Sequence, residues 1–268
     1  CSSSFYSKVR KTGNRKKPHM NIIEIDKLSH RFSNGFLGLD SIDLSVKKGE
    51  FVVIAGRNGS GKTTLLRHLN ALLLPTSGTV RIGGVSTQDD PVRARRIVGM
   101  VFQDSDSQIV CETVREDVAF GPENLCLERD EIEKRTYEAL NVTGLSGLAD
   151  AGPHILSGGE KRRLAIAGVL AMMPDVLVFD EPFSNLDYPG TRDILRQITG
   201  LHEAGRTIIV TTHDLEKIIA HAGRLLIMEE GKIARDGIPE KIISGVETFG
   251  VREPYFSRMG LERASWPS

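Results

Sequence analysis

The chain has 268 residues, 35 Lys or Arg against 35 Asp or Glu, and a formal net charge of zero. That length accommodates one large domain, or one core with a smaller lobe, and the charge balance argues against a dedicated nucleic-acid binder. The three cysteines (Cys1, Cys111 and Cys126) lack metal-ligand spacing, which excludes a disulfide framework or a zinc site, and no apolar run approaches the roughly 20 residues that cross a bilayer.

Residues 1–20 hold six Lys or Arg and no acid, leaving 29 basic against 35 acidic residues in the remainder. They lack the apolar stretch of a signal peptide. The expectation is a basic, disordered tail with Met20 as the native start. A lipid-modified Cys1 or contact with anionic lipid are the weaker readings.

From residue 21 the text NIIEIDKLSHRF alternates as a strand does, and LDSIDLSVKKGE (39–50) repeats the pattern after a turn-rich SNG. FVVIAG (51–56) is a short continuous apolar run, the mark of a buried parallel strand. TTLLRHLNALL (63–73) has helical spacing, with Pro75 and Gly78 as its stop. TVRIGG (79–84) and IVGMVFQ (97–103) are strand-like. Between about 104 and 156 strand signals fade, and ERDEIEKRTYEALNVTGL (128–145) reads as an amphipathic helix opening on an Asp130-x-x-Glu133 capping box. Strand text resumes at DVLVFDEP (175–182), TIIVTTHD (207–214) and RLLIMEEGKI (224–233), with helical segments between. Alternation of this kind predicts an α/β core with a mostly parallel sheet and a helical lobe inserted in it.

Four stretches carry chemistry. GRNGSGKTT (56–64) matches the P-loop pattern. Gly59 and Gly61 let successive N–H groups turn inward around phosphates together with Gly56, Arg57, Asn58, Ser60 and Thr64, Lys62 reaches the β- and γ-phosphates, and the Thr63 hydroxyl is a Mg²⁺ ligand. VLVFDE (176–181) ends a buried strand on two carboxylates. Paired with a P-loop, Asp180 is expected to hold Mg²⁺ through its water shell and Glu181 to orient and deprotonate the attacking water. His213, after the strand TIIVTTHD, reads either as a structural histidine or as a γ-phosphate donor. Gln103 reads either as an exposed loop residue or as a Mg²⁺ ligand that also positions water. Phe32 suits an adenine face or a half-buried strand equally.

The fourth stretch is ILSGGEKRR (155–163), in which Ser157-x-x-Glu160 is a second capping box. A pure cap gains nothing from two successive glycines, which weaken a first helical turn. Gly158 and Gly159 make sense if an anion must approach the helix end closely, with the Ser157 hydroxyl beside it. Lys62 and Ser157 stand 95 positions apart. The P-loop already encloses the phosphates of a nucleotide in its own chain, so this second cradle is expected to serve a nucleotide held by another chain.

Taken together and in order, these motifs resemble the ATP-binding-cassette (ABC) ATPases over nearly the whole chain from Asn21. Phe32 falls at that family's adenine-stacking aromatic, usually Tyr, residues 56–64 at its Walker A loop and Gln103 at its Q-loop. Residues 156–160 fall at the LSGGQ signature, 176–181 at the Walker B strand with catalytic Glu, Ser184-Asn185-Leu186-Asp187 at the D-loop, and His213 at the switch histidine. The resemblance implies a parallel-sheet core with an antiparallel β subdomain and an inserted helical subdomain. It also implies a head-to-tail dimer with ATP and Mg²⁺ between one chain's Walker A and the other's signature, placing Asp187 and Ser157 to Gly159 near the nucleotide.

VFQDSDSQIVCETVREDVAFGPENL (101–125) is similar, more narrowly, to the energy-coupling-factor and cobalt/nickel importer ATPases, with Ser105 where that subgroup often has Pro. The implied protein is a peripheral, cytoplasmic-side ATPase working as a homo- or heterodimer beneath a transmembrane coupling subunit and a small substrate-capture subunit, for cobalt, nickel or a vitamin. On this reading 21–236 is the ATPase domain and 237–268 a dimer-stabilising extension. The rival is a soluble ABC ATPase acting as an ATP-driven clamp outside transport. The relatives that act on chromosomes separate Walker A from the signature by hundreds of residues, and the acidic remainder of the chain predicts no nucleic-acid partner.

Overall fold

The computed structural model describes residues 21–262; the basic tail expected over 1–20 and the last six residues of the expected C-terminal extension lie outside the described residues. Numbered in chain order, the strands are β1 (Asn21–Arg31), β2 (Leu37–Lys47), β3 (Phe51–Ala55), β4 (Ser77–Ile82), β5 (Val85–Ser86), β6 (Val98–Val101), β7 (Val176–Asp180), β8 (Thr207–Thr212), β9 (Arg224–Glu229) and β10 (Lys232–Gly237). The α-helices are α1 (Lys62–Leu69), α2 (Pro91–Ile97), α3 (Val114–Asn124), α4 (Arg129–Thr143), α5 (Gly158–Ala171), α6 (Tyr188–Glu203), α7 (Pro239–Ile242) and α8 (Tyr255–Arg258). They build the expected architecture. One sheet, in the order β2-β1-β4-β5, is antiparallel throughout; the other, in the order β10-β9-β3-β8-β7-β6, is parallel except for its β9–β10 edge. Segment 104–156 holds α3, α4 and two short 3₁₀ turns.

The continuous apolar runs are continuous because both faces of the second sheet are covered. Val53 and Ala55 of β3, Leu177 and Phe179 of β7, and Ile208 and Val210 of β8 point into a core shared with α5 and α6. Their alternating neighbours Val52, Ile54, Val176, Val178 and Ile209 point into a second core shared with α1 and the antiparallel sheet. Phe179 has no solvent exposure. Phe179→Ala is expected to cost about 3–5 kcal/mol through lost burial and the cavity left behind. A loss of unfolding free energy in urea of under about 1 kcal/mol would show that the sheet relaxes around the gap.

Three local expectations are corrected. The helix after the P-loop ends at Leu69, well before Pro75: Ala71 turns left-handed (φ 54°), and the N–H groups of Leu72 and Leu73 both return to the Arg67 carbonyl. The Asp130–Glu133 capping box is absent. Glu128 caps α4 instead, its carbonyl accepting from Glu131 and Ile132, and Glu133 pairs with the Arg129 guanidinium at 3.0 Å. Glu131 is drawn to Arg135 in the same way, as i,i+4 geometry favours. RLLIMEEGKI is not one strand but the β9–β10 hairpin, turning at Glu230 (φ 47°) and Gly231 (φ 77°).

Because β3, β8, β7 and β6 run parallel, their carboxyl ends share one edge. The chain leaving β3 is the P-loop; the chain leaving β7 carries Glu181, β8 His213 and β6 Gln103. Topology alone gathers these stretches at the place where α/β sheets bind ligands.

Candidate functional site

The P-loop passes from β3 into α1 through Gly59 (φ 82°) and Gly61 (φ 102°), conformations that a side chain strains. Gly61 caps α1 without any side-chain hydrogen bond, and the helix has no acid in its first turn, so its N-terminus presents positive charge to the loop. A Cβ on Gly56 would meet the Met228 carbonyl oxygen at 2.4 Å and Ser60 Oγ at 2.6 Å. One on Gly59 would meet nothing within 4 Å. Gly56→Ala is therefore expected to weaken nucleotide binding more than tenfold by displacing the loop, while Gly59→Ala carries only the backbone strain of about 1 kcal/mol. Titration with a fluorescent nucleotide separates the two; equal affinities would mean that the loop absorbs the clash.

Lys62 Nζ donates to the carbonyls of Gly56 (2.6 Å) and Arg57 (3.1 Å), and lies 4.0 Å from Glu181 Oε1. Burial pulls its ammonium below the ordinary lysine value, while Glu181 and then Asp180 favour its charge. Glu181 is buried and left-handed (φ 47°), a backbone cost typical of functional sites. Its Oε2 accepts from His213 Nδ1 at 2.9 Å; its Oε1 has no hydrogen-bond partner among the described residues. Thr63 Oγ1 donates to Asp180 Oδ2 at 2.7 Å and Thr211 Oγ1 to Asp180 Oδ1 at 2.6 Å. Asn58, Gly59, Gly61, Lys62, Thr63, Thr64, Gln103, Glu181 and His213 line one cleft of about 420 Å³. Asp180 faces an adjoining cleft of about 410 Å³ that Thr63 and Gln103 also line.

Other expected residues sit differently. Gly56 meets this cleft through its carbonyl on Lys62, Ser60 is buried beneath the loop, and Arg57 points its side chain away to an ion pair with Glu230 at 3.2 Å. Phe32 packs over Gly38 and edge-on to His30; the aromatic lining the P-loop cleft is Phe36, 60 % exposed. Phe32 lies just past β1 and Phe36 just before β2, so strand periodicity marks neither, and their rings stack with centroids 6.2 Å apart.

Ser157, Gly158, Gly159 and Asp187 line a different cleft of about 360 Å³, which shares no lining residue with the P-loop cleft. Both halves of the Ser157–Glu160 capping box form: the Glu160 N–H donates to Ser157 Oγ at 3.3 Å, and the Ser157 N–H donates to Glu160 Oε2 at 2.8 Å. The Ser157 N–H and the Ser157 hydroxyl, both donating to Oε2, with Arg163 nearby, hold the Glu160 carboxyl below its usual range. A Cβ on Gly158 would meet nothing within 4 Å. Nothing among the described residues requires glycine there. Asp187 caps α6, accepting from the Gly190 N–H at 2.9 Å, and Asn185, at φ 61°, completes the cleft.

A glycine-rich loop closed to a Cβ at Gly56, a buried lysine and paired strand-end carboxylates suit a nucleoside triphosphate. Among the described residues no three His, Cys, Asp or Glu side chains gather into a metal cage. Thr63, Asp180 and Gln103 instead offer the few hard oxygens that suit Mg²⁺ bound jointly with phosphates.

Comparison with known proteins agrees with this geometry. Residues 39–184 match the family described as ABC transporter. The energy-coupling factor transporter ATP-binding protein EcfA of Methanocaldococcus jannaschii is 46 % identical over 232 residues, covering 85 % of this chain and 83 % of that protein. The cobalt import ATP-binding protein CbiO of Rhodobacter capsulatus is 43 % identical over 249 residues, covering 91 % and 89 %. Among solved structures, cbiO1 of Clostridium perfringens, described as part of the ABC transporter complex cbiONQ, superposes with a TM-score of 0.77 at 35 % identity, covering 90 % of this chain and 98 % of that one. With its P-loop, strand-end carboxylates and signature helix in one fold, the chain belongs to the ABC transporter family of ATP-binding, ATP-hydrolysing domains.

Proposed function

We propose that this chain is the energy-coupling ATPase of a membrane importer of the energy-coupling-factor type. It would bind the cytoplasmic side of a transmembrane coupling subunit that works with a small substrate-capture subunit for cobalt, nickel or a vitamin. The observation that carries the reading is that Ser157 and Lys62 line two clefts with no lining residue in common, so Ser157 does not face the P-loop cleft of its own chain. A second copy or a close relative, opposed head to tail, supplies the missing face. The names of the relatives, energy-coupling factor and cobalt import proteins, support the transport assignment. Among the described residues no helix is long and apolar enough to cross a membrane, so membrane attachment would come through partners.

In this mechanism the P-loop N–H groups and Lys62 hold the triphosphate. The partner chain's signature then covers the γ-phosphate and excludes bulk water from the cleft, leaving one water between Glu181 and the γ-phosphorus. Glu181 accepts a proton from the attacking water on Oε1, while His213 keeps Oε2 oriented. Thr63, Asp180 and Gln103 would hold Mg²⁺, which neutralises charge on the phosphates when bound. Lys62, His213 and the facing Ser157 and glycine N–H groups stabilise the charge on the transferring phosphoryl group. Release of phosphate reopens the pair, and segment 104–156 conveys the motion. The C-terminal segment packs onto its own domain through Val246 and Val251, leaving Tyr255, Met259 and Leu261 exposed for the dimer-stabilising role.

The test is capture of this protein from native membranes in mild detergent, with the co-purifying proteins identified by mass spectrometry. Recovery of a coupling membrane protein and a small apolar capture protein supports the importer. Recovery of soluble partners alone removes the transport reading.

A further inference from the structure

Beyond Ser157, helix α5 carries Arg162, only 4 % exposed. Its Nη1 donates to the Phe102 carbonyl at 2.7 Å and its Nη2 to the Gln103 carbonyl at 2.6 Å. The same stretch is gripped from its other side. Gln108 Oε1 accepts from the Phe102 N–H at 3.1 Å, and Gln108 Nε2 donates to the Met100 carbonyl at 3.2 Å. Lys161, beside Arg162 on the helix, pairs with Asp106 at 2.5 Å. β6 is a sheet edge, so the chain leaving it has no further strand beyond. Side chains take over the main-chain hydrogen bonds that a ladder would otherwise supply.

A buried guanidinium is expensive unless its donors are matched. Its two terminal nitrogens are matched to consecutive backbone carbonyls, the second that of Gln103, a residue lining the P-loop cleft, while its Nε has no partner among the described residues. Burial pulls the guanidinium below its ordinary value, against the fields of Asp104 and then Asp180, which favour its charge. The signature helix and the Q-loop are thus joined at two neighbouring side chains, of which buried Arg162, one turn from the glycines that face the second cleft, is the one that reaches Gln103.

We propose that Arg162 is a positioning residue that ties the signature helix to Gln103. Seating of the partner's phosphate at residues 157–159 then sets the Gln103 amide in the chain's own P-loop cleft. This deepens the reading above and rests on it for the meaning of the two clefts. Without Arg162 the amide loses its fixed backbone, and closure at one site no longer prepares the other.

The test uses the full chain with Arg162→Met, Arg162→Lys, Gln103→Ala and the Met/Ala double variant. The first readout is amide hydrogen exchange of residues 103–108 without nucleotide. Arg162→Met is expected to accelerate it about tenfold, with β3 and α6 unchanged; unchanged exchange in the loop overturns the proposal. The second is steady-state ATP hydrolysis. Arg162→Met is expected to lower kcat about 10- to 100-fold with KM within about threefold, and Arg162→Lys to recover part of it. Acting through Gln103, it should add nothing to the loss in Gln103→Ala. Additive losses, or equal losses in the Met and Lys variants with lowered stability in both, mean a structural role only and overturn it. If wild-type chain hydrolyses no ATP, the ATPase reading falls while the exchange readout still decides the clamp. Should Arg162→Met fail to fold, Arg162→Lys keeps the buried charge and carries the same two readouts.

Discussion

Glu181→Gln is expected to bind ATP with near wild-type affinity and to lose about 10²–10⁴-fold in turnover, the scale set by loss of a general base. The amide is isosteric and can still meet His213, but it has no basic oxygen at the position now held by Oε1, which lacks a partner among the described residues. The P-loop contacts of Lys62 to Gly56 and Arg57 do not involve Glu181, so the nucleotide cradle should survive. A chain that binds but does not cleave should accumulate as a nucleotide-bound pair. Phosphate release and light scattering with ATP and Mg²⁺ report both effects. Turnover within threefold of wild type would remove Glu181 from the chemistry; loss of binding would make it part of the cradle instead.

Ser157→Arg is expected to abolish ATP-driven pairing and lower turnover at least about 100-fold, the scale of losing preorganised donors at the phosphoryl group. Affinity of the single chain for ATP should be unchanged. Ser157 lies in the cleft that shares nothing with the P-loop, so a bulky cation there obstructs a partner rather than the chain's own nucleotide. Loss of the N-cap costs about 1 kcal/mol, too little to unfold the domain. Gly158→Ala provides the sharper control. With open space around it, the new methyl should cost no stability and add up to about 1 kcal/mol through helix propensity, yet turnover should fall because the phosphate must approach that backbone. Thermal unfolding with ATPase rates separates these outcomes. If Ser157→Arg weakened ATP binding by the isolated chain, the cross-chain account would fail.

Much of the candidate site is a property of short segments, and those were legible. A P-loop is a strand, a glycine-rich turn and a helix start, each coded locally; so is VLVFDE, whose apolar run demands burial and whose end must then present its acids. The N-terminus of α3 is coded as locally, in Thr113-x-x-Glu116, whose capping box forms, whereas the same spacing at Asp130-x-x-Glu133 forms none. Two or more candidate caps compete for each helix start, and only packing chooses between them.

Local pattern thus determined which residues could bind phosphate, which strands would be buried, and that two cradles were present. Tertiary structure decided what no single segment encodes. Sheet order brought Thr211 onto Asp180 and His213 onto Glu181. The turn after β1 stacked Phe36 on Phe32 and put Phe36 in the cleft lining. The fold turned Arg162 inward onto Gln103 and kept the signature cleft apart from the P-loop. Helix and strand periodicity follow from neighbours a few residues away, whereas these contacts depend on which faces remain to be buried once the sheets have paired.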